Sequence, residues 1–154
     1  METYPSPRDR YPEKRRRFPW IFKIHNDFTF QSMHLGKSFD SKWLKLEANG
    51  TVTVKANTTG YAWDGCSPKL SLFGLAIIGT PDGHIDITTE KPITYHASLV
   101  HDVFYQYLED VPVSKTDIDR QFYEMLLVRG FPLARLYYIA VSLFGGRGIK
   151  QRNV

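Results

Sequence analysis

Alternating apolar and polar residues predict strands in the N-terminal half of the chain. The segment KWLKLEANGTVTVKA, residues 42–56, alternates on both sides of Asn49-Gly50. Because this dipeptide tolerates the positive φ angles of a tight turn, the pattern predicts an antiparallel hairpin there. WIFKI at residues 20–24 and FTFQS at residues 28–32 are predicted to form a second hairpin, which turns at residues 25–27.

After Pro92 the apolar spacing changes to three and four residues, which is typical of amphipathic helices. Helices are predicted over residues 97–109 and 113–130, and a third begins at Pro132. Its segment LYYIAVSLFG is apolar almost all round, which predicts a helix packed on several sides. The sequence therefore predicts an α+β fold, with N-terminal antiparallel β hairpins or a sheet followed by a C-terminal bundle of about three helices.

The second predicted helix carries recognisable end signals. Ser114 or Thr116 can act as the N-cap, since either hydroxyl can accept a hydrogen bond from a free N–H of the first turn. Asp117 and Asp119 follow, where carboxylates suit the positive end of the helix dipole. Gly130 is the predicted stop.

The chain of 154 residues is long enough for one compact domain with a sizeable core. All of the net charge of +4 falls in residues 1–23, which hold seven Lys and Arg against three Asp and Glu. Residues 1–18 lack periodicity and contain three prolines, so they are predicted to form a basic flexible arm. Residues 19–154 are predicted to form the single domain.

A run of three arginines in this arm has two interpretations. A charge run is most often a solvated tail, but it can also contact the phosphates of an anionic lipid or nucleic-acid surface. The residues concerned are Arg15, Arg16 and Arg17. The neutral remainder of the chain carries no broad basic footprint for nucleic acid.

The rest of the composition narrows the cellular setting. The single cysteine, Cys66, cannot form an intramolecular disulfide, so the fold does not depend on an oxidising compartment. The apolar runs at residues 70–78 and 136–146 are shorter than the roughly 18 residues of a membrane span. No secretory signal pattern is found at the N-terminus. We therefore expect a cytoplasmic protein.

The first predicted helix places a histidine and an aspartate side by side in HASLVHDVFYQYLED, residues 96–110. His101 and Tyr105 share one face, whereas Asp102 points about 100° away and cannot easily orient the imidazole. A histidine that acts as general base needs a second group to hold its other ring nitrogen. Asp119, on the next helix, is the carboxylate that the sequence offers.

This arrangement leaves Asp102 available as a ligand for a hard cation, since carboxylate and carbonyl oxygens are the usual ligands of calcium. The segment GYAWDGCSPK, residues 60–69, adds a second carboxylate, Asp64. Its glycines and proline predict a tight backbone path. Asp102 and Asp64 are therefore the candidate metal ligands, and Asp64 could instead only stabilise a turn.

The pattern HDxxY followed by IDxxF resembles the core of the short microbial phospholipase A2 proteins. In that family the histidine activates water, the adjoining aspartate binds Ca²⁺, and a second aspartate orients the histidine with help from a tyrosine. The resemblance implies these roles for His101, Asp102, Asp119 and Tyr105, in that order.

A wider resemblance covers residues 60–145. The order WDGCSP, then AxLVHDxxY, then DIDRQFYEML and a final apolar helix that ends in LFG is similar to DUF1353, an uncharacterised family found in phages and prophages. This resemblance implies a fold and a set of candidate residues without a substrate. If the chain is phage-encoded, the cytoplasm is that of the host cell, or the protein is associated with the virion.

Two functions from different classes remain open. One is a small hydrolase of lipid or ester bonds with catalytic His101, Asp119 and Tyr105. The other is a non-enzymatic phage accessory or structural protein, in which the same polar residues hold the helices to the sheet.

Weaker alternatives use other residues of the chain. Cys66 with His101 would form a thiol nucleophile and its base. His84 and Asp86 would form a metal site together with His96 or His101. Binding of nucleic acid through the arm is a further alternative.

Overall fold

The computed structural model describes residues 22–63 and 94–145. Within them the strands come first and the helices second, which is the predicted α+β arrangement. The strands are β1 (Phe22–Ile24), β2 (Phe28–Gln31), β3 (Phe39–Asp40), β4 (Leu44–Leu46), β5 (Thr51–Val54) and β6 (Tyr61–Trp63). The helices are α1 (Tyr95–Gln106), α2 (Lys115–Val128) and α3 (Ala134–Phe144).

The strands form two antiparallel sheets. One sheet contains four strands in the order β2-β5-β4-β3, and the other pairs β1 with β6. The predicted basic arm of residues 1–18 lies outside the described residues.

The hairpin around Asn49-Gly50 is confirmed as the connection between β4 and β5. The N–H of Gly50 donates to the carbonyl of Glu47 (2.8 Å), and Asn49 Oδ1 accepts from the N–H of Thr51 (2.9 Å). Gly50 has φ of +88°, and a Cβ at this position would lie only 2.6 Å from the carbonyl oxygen of Ser32. Glycine is therefore needed both for the backbone angle and for the close approach of β2.

The predicted second hairpin is wrong, because β1 and β2 do not pair with each other. β1 pairs with β6, and β2 pairs with β5. The side chain of Asp27 explains part of this arrangement, since its Oδ1 accepts a hydrogen bond from the N–H of Ala56 (2.8 Å) just after β5. This contact holds the start of β2 beside β5 instead of turning the chain back on β1.

The main core lies between the strands and α1. The alternating apolar side chains of β4 and β5 face it, as period-two patterning requires. The central members of this core are Leu44, Leu46, Val52, Val54, Leu99, Val103 and Phe104. A hydrogen bond from Trp63 Nε1 to Ser98 Oγ (3.0 Å) ties β6 to α1 inside the core. This packing fixes the face of α1 that is turned away from the sheet.

The helix ends follow the sequence signals for α2. Ser114 is the N-cap, and its Oγ accepts from the N–H of Asp117 (3.1 Å). Gly130 has φ of +70° just after the helix end.

No helix of the described residues is long and apolar enough to cross a membrane.

The prediction that α3 is packed on several sides is wrong. Leu136, Ile139 and Leu143 are 52%, 44% and 62% exposed. α3 is the last described helix and packs against α2 along one side, mainly through Tyr137. A nearly all-apolar helix in this position leaves an apolar stripe in contact with solvent.

Replacement of Gly50 by alanine tests the hairpin. Gly50→Ala is expected to lower the free energy of unfolding by more than the matched change Gly36→Ala. Both positions have positive φ, but a Cβ at Gly36 would meet no atom within 4 Å. We expect a loss of about 1 to 2 kcal/mol for Gly36→Ala from the backbone angle alone. Urea unfolding measures both, and equal losses would contradict the close approach to Ser32.

Candidate functional site

His101, Tyr105 and Asp119 come together where α1 packs on α2. His101 and Tyr105 lie one turn apart on α1, with their ring centroids 4.0 Å apart. The ring of Phe122 covers the imidazole from α2, at a centroid distance of 4.7 Å. His101 is 8% exposed and Asp119 only 1%. The two helices therefore enclose a carboxylate and an imidazole among apolar rings.

The carboxylate of Asp119 is the centre of the hydrogen-bond network. Its Oδ1 lies 3.0 Å from His101 Nε2 and accepts a hydrogen bond of 2.5 Å from the Tyr105 hydroxyl. Its Oδ2 accepts from Lys115 Nζ at 2.6 Å. An ionised carboxylate only accepts hydrogen bonds, so the proton of the neutral imidazole must be on Nε2. The predicted contact between His101 and Asp119 is present.

Lys115 is a member of this network that the sequence analysis missed. Besides Asp119, its ammonium group donates to the carbonyls of Val141 (3.0 Å) and Ser142 (3.1 Å) near the end of α3. The spacing of four residues between Lys115 and Asp119 could have indicated their ion pair. The contacts with α3 connect elements that are distant in sequence.

The end of α3 also packs directly on the site. A Cβ at Gly145 would lie 2.5 Å from the hydroxyl of Tyr105. The absence of a side chain at Gly145 therefore lets the chain approach the tyrosine closely. α3 closes the side of the network on which Lys115 and Tyr105 lie.

Burial and hydrogen bonding shift the pKa values of Asp119 and His101 in opposite directions. Burial alone would raise the pKa of Asp119, but the hydrogen bonds from His101, Lys115 and Tyr105 outweigh it and lower that pKa. Burial lowers the pKa of His101, against the opposing effect of Asp119. The pKa of Tyr105 is raised, first by burial and then by its hydrogen bond to Asp119. The network at neutral pH is thus a carboxylate, a neutral imidazole and a phenol, with Lys115 as the cation.

This state leaves Nδ1 as the basic nitrogen of His101. Within the described residues Nδ1 makes no hydrogen bond, whereas Nε2 is held by Asp119. A neutral imidazole with one nitrogen fixed by a carboxylate can accept a proton at the other nitrogen. The arrangement therefore has the elements of a general base.

The candidate metal ligands are not brought together by the described residues. Asp102 lies on α1, partly exposed, and its charge contributes to the raised pKa of Tyr105. Asp64 lies outside the described residues. Across residues 22–63 and 94–145, no group of three or more His, Cys, Asp or Glu side chains could hold a metal ion. These residues alone do not form the calcium site that the resemblance implies.

The residues of the weaker alternatives are also separated from the network or lie outside the description. Cys66, His84 and Asp86 fall outside the described residues. His96 stacks on Phe28, with ring centroids 4.4 Å apart and planes 11° apart.

A cleft of about 480 Å³ lies between the β2 side of the sheet and α2. His96 and Phe28 line it, together with residues 30–35 and the outer face of α2. His101, Tyr105 and Asp119 are not among its lining residues.

The chain was compared with protein-family models, curated proteins and solved structures, and none of them matches it. The resemblances to DUF1353 and to microbial phospholipase A2 therefore stay expectations from the sequence.

Neutralisation of Asp119 tests its central position. Asp119→Asn is expected to lower the free energy of unfolding by about 3 kcal/mol or more, because a buried ion pair loses one partner. Glu124→Gln, on the same helix but in an exposed pair with Arg120, is the control and should cost less than about 1 kcal/mol. Urea unfolding at pH 7 checks both values, and similar small losses would contradict the network.

Acidification is expected to destabilise the fold, since burial lowers the pKa of both His101 and His34. The unfolded chain takes up these protons below about pH 6.5, whereas the folded protein resists them. Stability is therefore highest above pH 6.5 and falls as the pH is lowered towards the folded pKa values.

The free energy of unfolding is measured at several values between about pH 7.5 and about pH 5, a range that includes the ordinary pKa of histidine. Its change with pH gives the slope. His101→Gln and His34→Gln are each expected to flatten it. An unchanged slope in both variants would contradict the burial of neutral imidazoles.

Proposed function

We propose that the protein is a small hydrolase of lipid or ester bonds, with His101 as its general base. The observation that carries this proposal is the 3.0 Å contact between His101 Nε2 and the buried carboxylate of Asp119. It fixes the tautomer of a neutral imidazole and leaves Nδ1 as the basic nitrogen. The resemblance of HDxxY and IDxxF to microbial phospholipase A2 favours ester hydrolysis among the reactions open to such a base.

In the proposed reaction Nδ1 of His101 takes a proton from water as the water oxygen attacks the ester carbonyl. The imidazolium that forms is stabilised by the negative charge of Asp119, and its proton passes to the leaving alkoxide. Tyr105 and Lys115 also donate hydrogen bonds to Asp119, which opposes rotation of the carboxylate away from the imidazole. Calcium, if it is held by Asp102 and Asp64, would stabilise negative charge on the carbonyl oxygen.

A second candidate function is that of a non-enzymatic phage accessory or structural protein. The same network supports it, because Asp119 and Lys115 join α1, α2 and α3 through buried hydrogen bonds. The low exposure of His101, at 8%, also suits a structural role. In either case we propose a cytoplasmic or virion-associated protein whose residues 15–17 contact an anionic surface.

Hydrolysis of short-chain esters and of phospholipid vesicles by the wild type and by His101→Gln separates the two functions. Loss of the general base is expected to lower kcat by about 100-fold to 10,000-fold. His96→Gln is the matched control on the same helix, since His96 stacks on Phe28 and does not contact Asp119. Each assay is run with added Ca²⁺ and with EDTA, which tests the metal part of the proposal separately.

Urea unfolding of each variant shows whether a lost activity reflects a lost fold. Wild-type activity that survives His101→Gln would rule out this histidine as the base. A wild type without activity on any of these substrates, together with strong destabilisation by His101→Gln, would favour the structural role.

A further inference from the structure

β2 is an edge strand of the four-stranded sheet, and no strand of the described residues pairs with its outer side. The N–H of Ser32 bonds to the carbonyl of Gly50, which continues the ladder of β2 with β5. In an antiparallel ladder the residues alternate, so the backbone groups of Thr29 and Gln31 point away from β5. Within the described residues these groups have no backbone partner, and both residues are exposed.

The described residues of this edge carry no lysine, acidic residue or proline that would discourage pairing with another chain. Edge strands are commonly protected by charged side chains, proline or a bulge. The sequence of β2 is FTFQ, and the next four residues, SMHL, also contain no proline, lysine or acidic residue. A strand of this kind is a template for a further strand.

Exposed apolar side chains lie beside the open edge. Met33, Leu35 and Val128 are 71%, 65% and 85% exposed, and all three line the cleft between β2 and α2. Exposed apolar side chains that line one cleft are typical of an interaction site. The edge and the cleft therefore form one continuous surface, which we call the β2–α2 face.

The charges of α2 on this face alternate in sign along the helix. Asp117 is followed by Arg120, Glu124 and Arg129, and all four line the cleft. When such a helix lies antiparallel to a second copy of itself, each acidic residue meets a basic one. Arg120 of one copy would lie beside Glu124 of the other, and Asp117 beside Arg129. The pattern is complementary to itself, as a two-fold interface requires.

We infer that the β2–α2 face is an interface between two copies of this chain. The two β2 strands pair antiparallel about a two-fold axis, and the two α2 helices lie antiparallel beside them. The N–H and C=O groups of Thr29 and Gln31 then find partners in the second copy. Met33, Leu35 and Val128 are removed from water in the same step.

Sedimentation velocity of the full chain over a range of concentrations tests the interface, and the wild type is expected to dimerise. Thr29→Pro removes an N–H that makes no bond to β5, so it blocks pairing at the edge without breaking the ladder inside the chain. We expect it to raise the dimer dissociation constant about tenfold or more. Thr29→Val keeps the N–H and is expected to dimerise like the wild type.

A charge reversal tests the antiparallel arrangement of α2 and does not depend on the folding of Thr29→Pro. Arg120→Glu places like charges opposite each other and is expected to weaken the dimer. The double variant with Arg120→Glu and Glu124→Arg restores the complementary pattern and should restore the dimer. Urea unfolding verifies that both variants fold.

Hydrogen exchange locates the contact directly. The amides of Thr29 and Gln31 are expected to exchange slowly in the dimer and rapidly in dilute protein. A wild type that stays monomeric at every soluble concentration would overturn the inference. So would a dimer that neither Thr29→Pro nor Arg120→Glu weakens, because its interface would then lie elsewhere, for example on the exposed stripe of α3.

Discussion

A carboxylate that is almost completely buried between helices constrains the helical half of this protein. An unpaired charge at the position of Asp119 would be too costly to bury, so the surrounding structure must supply donors to both oxygens. His101 and Tyr105 supply two from α1, and Lys115 supplies the third from α2. Because the remaining donors of Lys115 reach backbone carbonyls of α3, one carboxylate fixes the relative positions of all three helices. The packing of apolar side chains brings the helices together, and this network selects one arrangement among those that packing alone would permit.

The sheet determines where this network can form. β4 and β5 bury their alternating apolar side chains against α1, and Trp63 is hydrogen-bonded to Ser98 on the same helix. The face of α1 that carries His101 and Tyr105 must therefore turn towards α2. A helix held so firmly on one side presents its polar pair in a fixed orientation, which is what a general base requires and also what a structural hydrogen bond requires. The geometry of the network is thus common to the two candidate functions, and what separates them is access of a substrate to Nδ1 of His101.

Local patterns predicted much of this fold, and interactions distant in sequence explain the rest. The hairpin at Asn49-Gly50 and the N-cap at Ser114 depend on neighbouring residues, and both are found as expected. The pairing of β1 with β6 joins residues 37 to 41 positions apart, which no local alternation could indicate. The contact between His101 and Asp119 could be predicted because the two helices are joined by a short connection. The contacts of Lys115 with α3 could not be predicted, since backbone carbonyls carry no sequence signal. The exposed stripe of α3 shows the converse error, in which an apolar sequence was assumed to be covered.

α2 connects the two surfaces that carry the proposals. Asp119, Phe122 and Leu126 share the face that packs on α1 and α3, whereas Asp117, Arg120 and Glu124 lie on the face that borders the cleft. Opposite faces of one helix cannot move independently, because the helix is a rigid unit held by its backbone hydrogen bonds. Because the two faces point in opposite directions, pairing of two copies through the β2–α2 face would leave the His101 network without direct contact with the partner. Any effect of pairing on the imidazole must pass through a shift of α2 as a whole, and the anchoring of Asp119 by three donors opposes such a shift. The two surfaces are thus chemically independent although they share one helix.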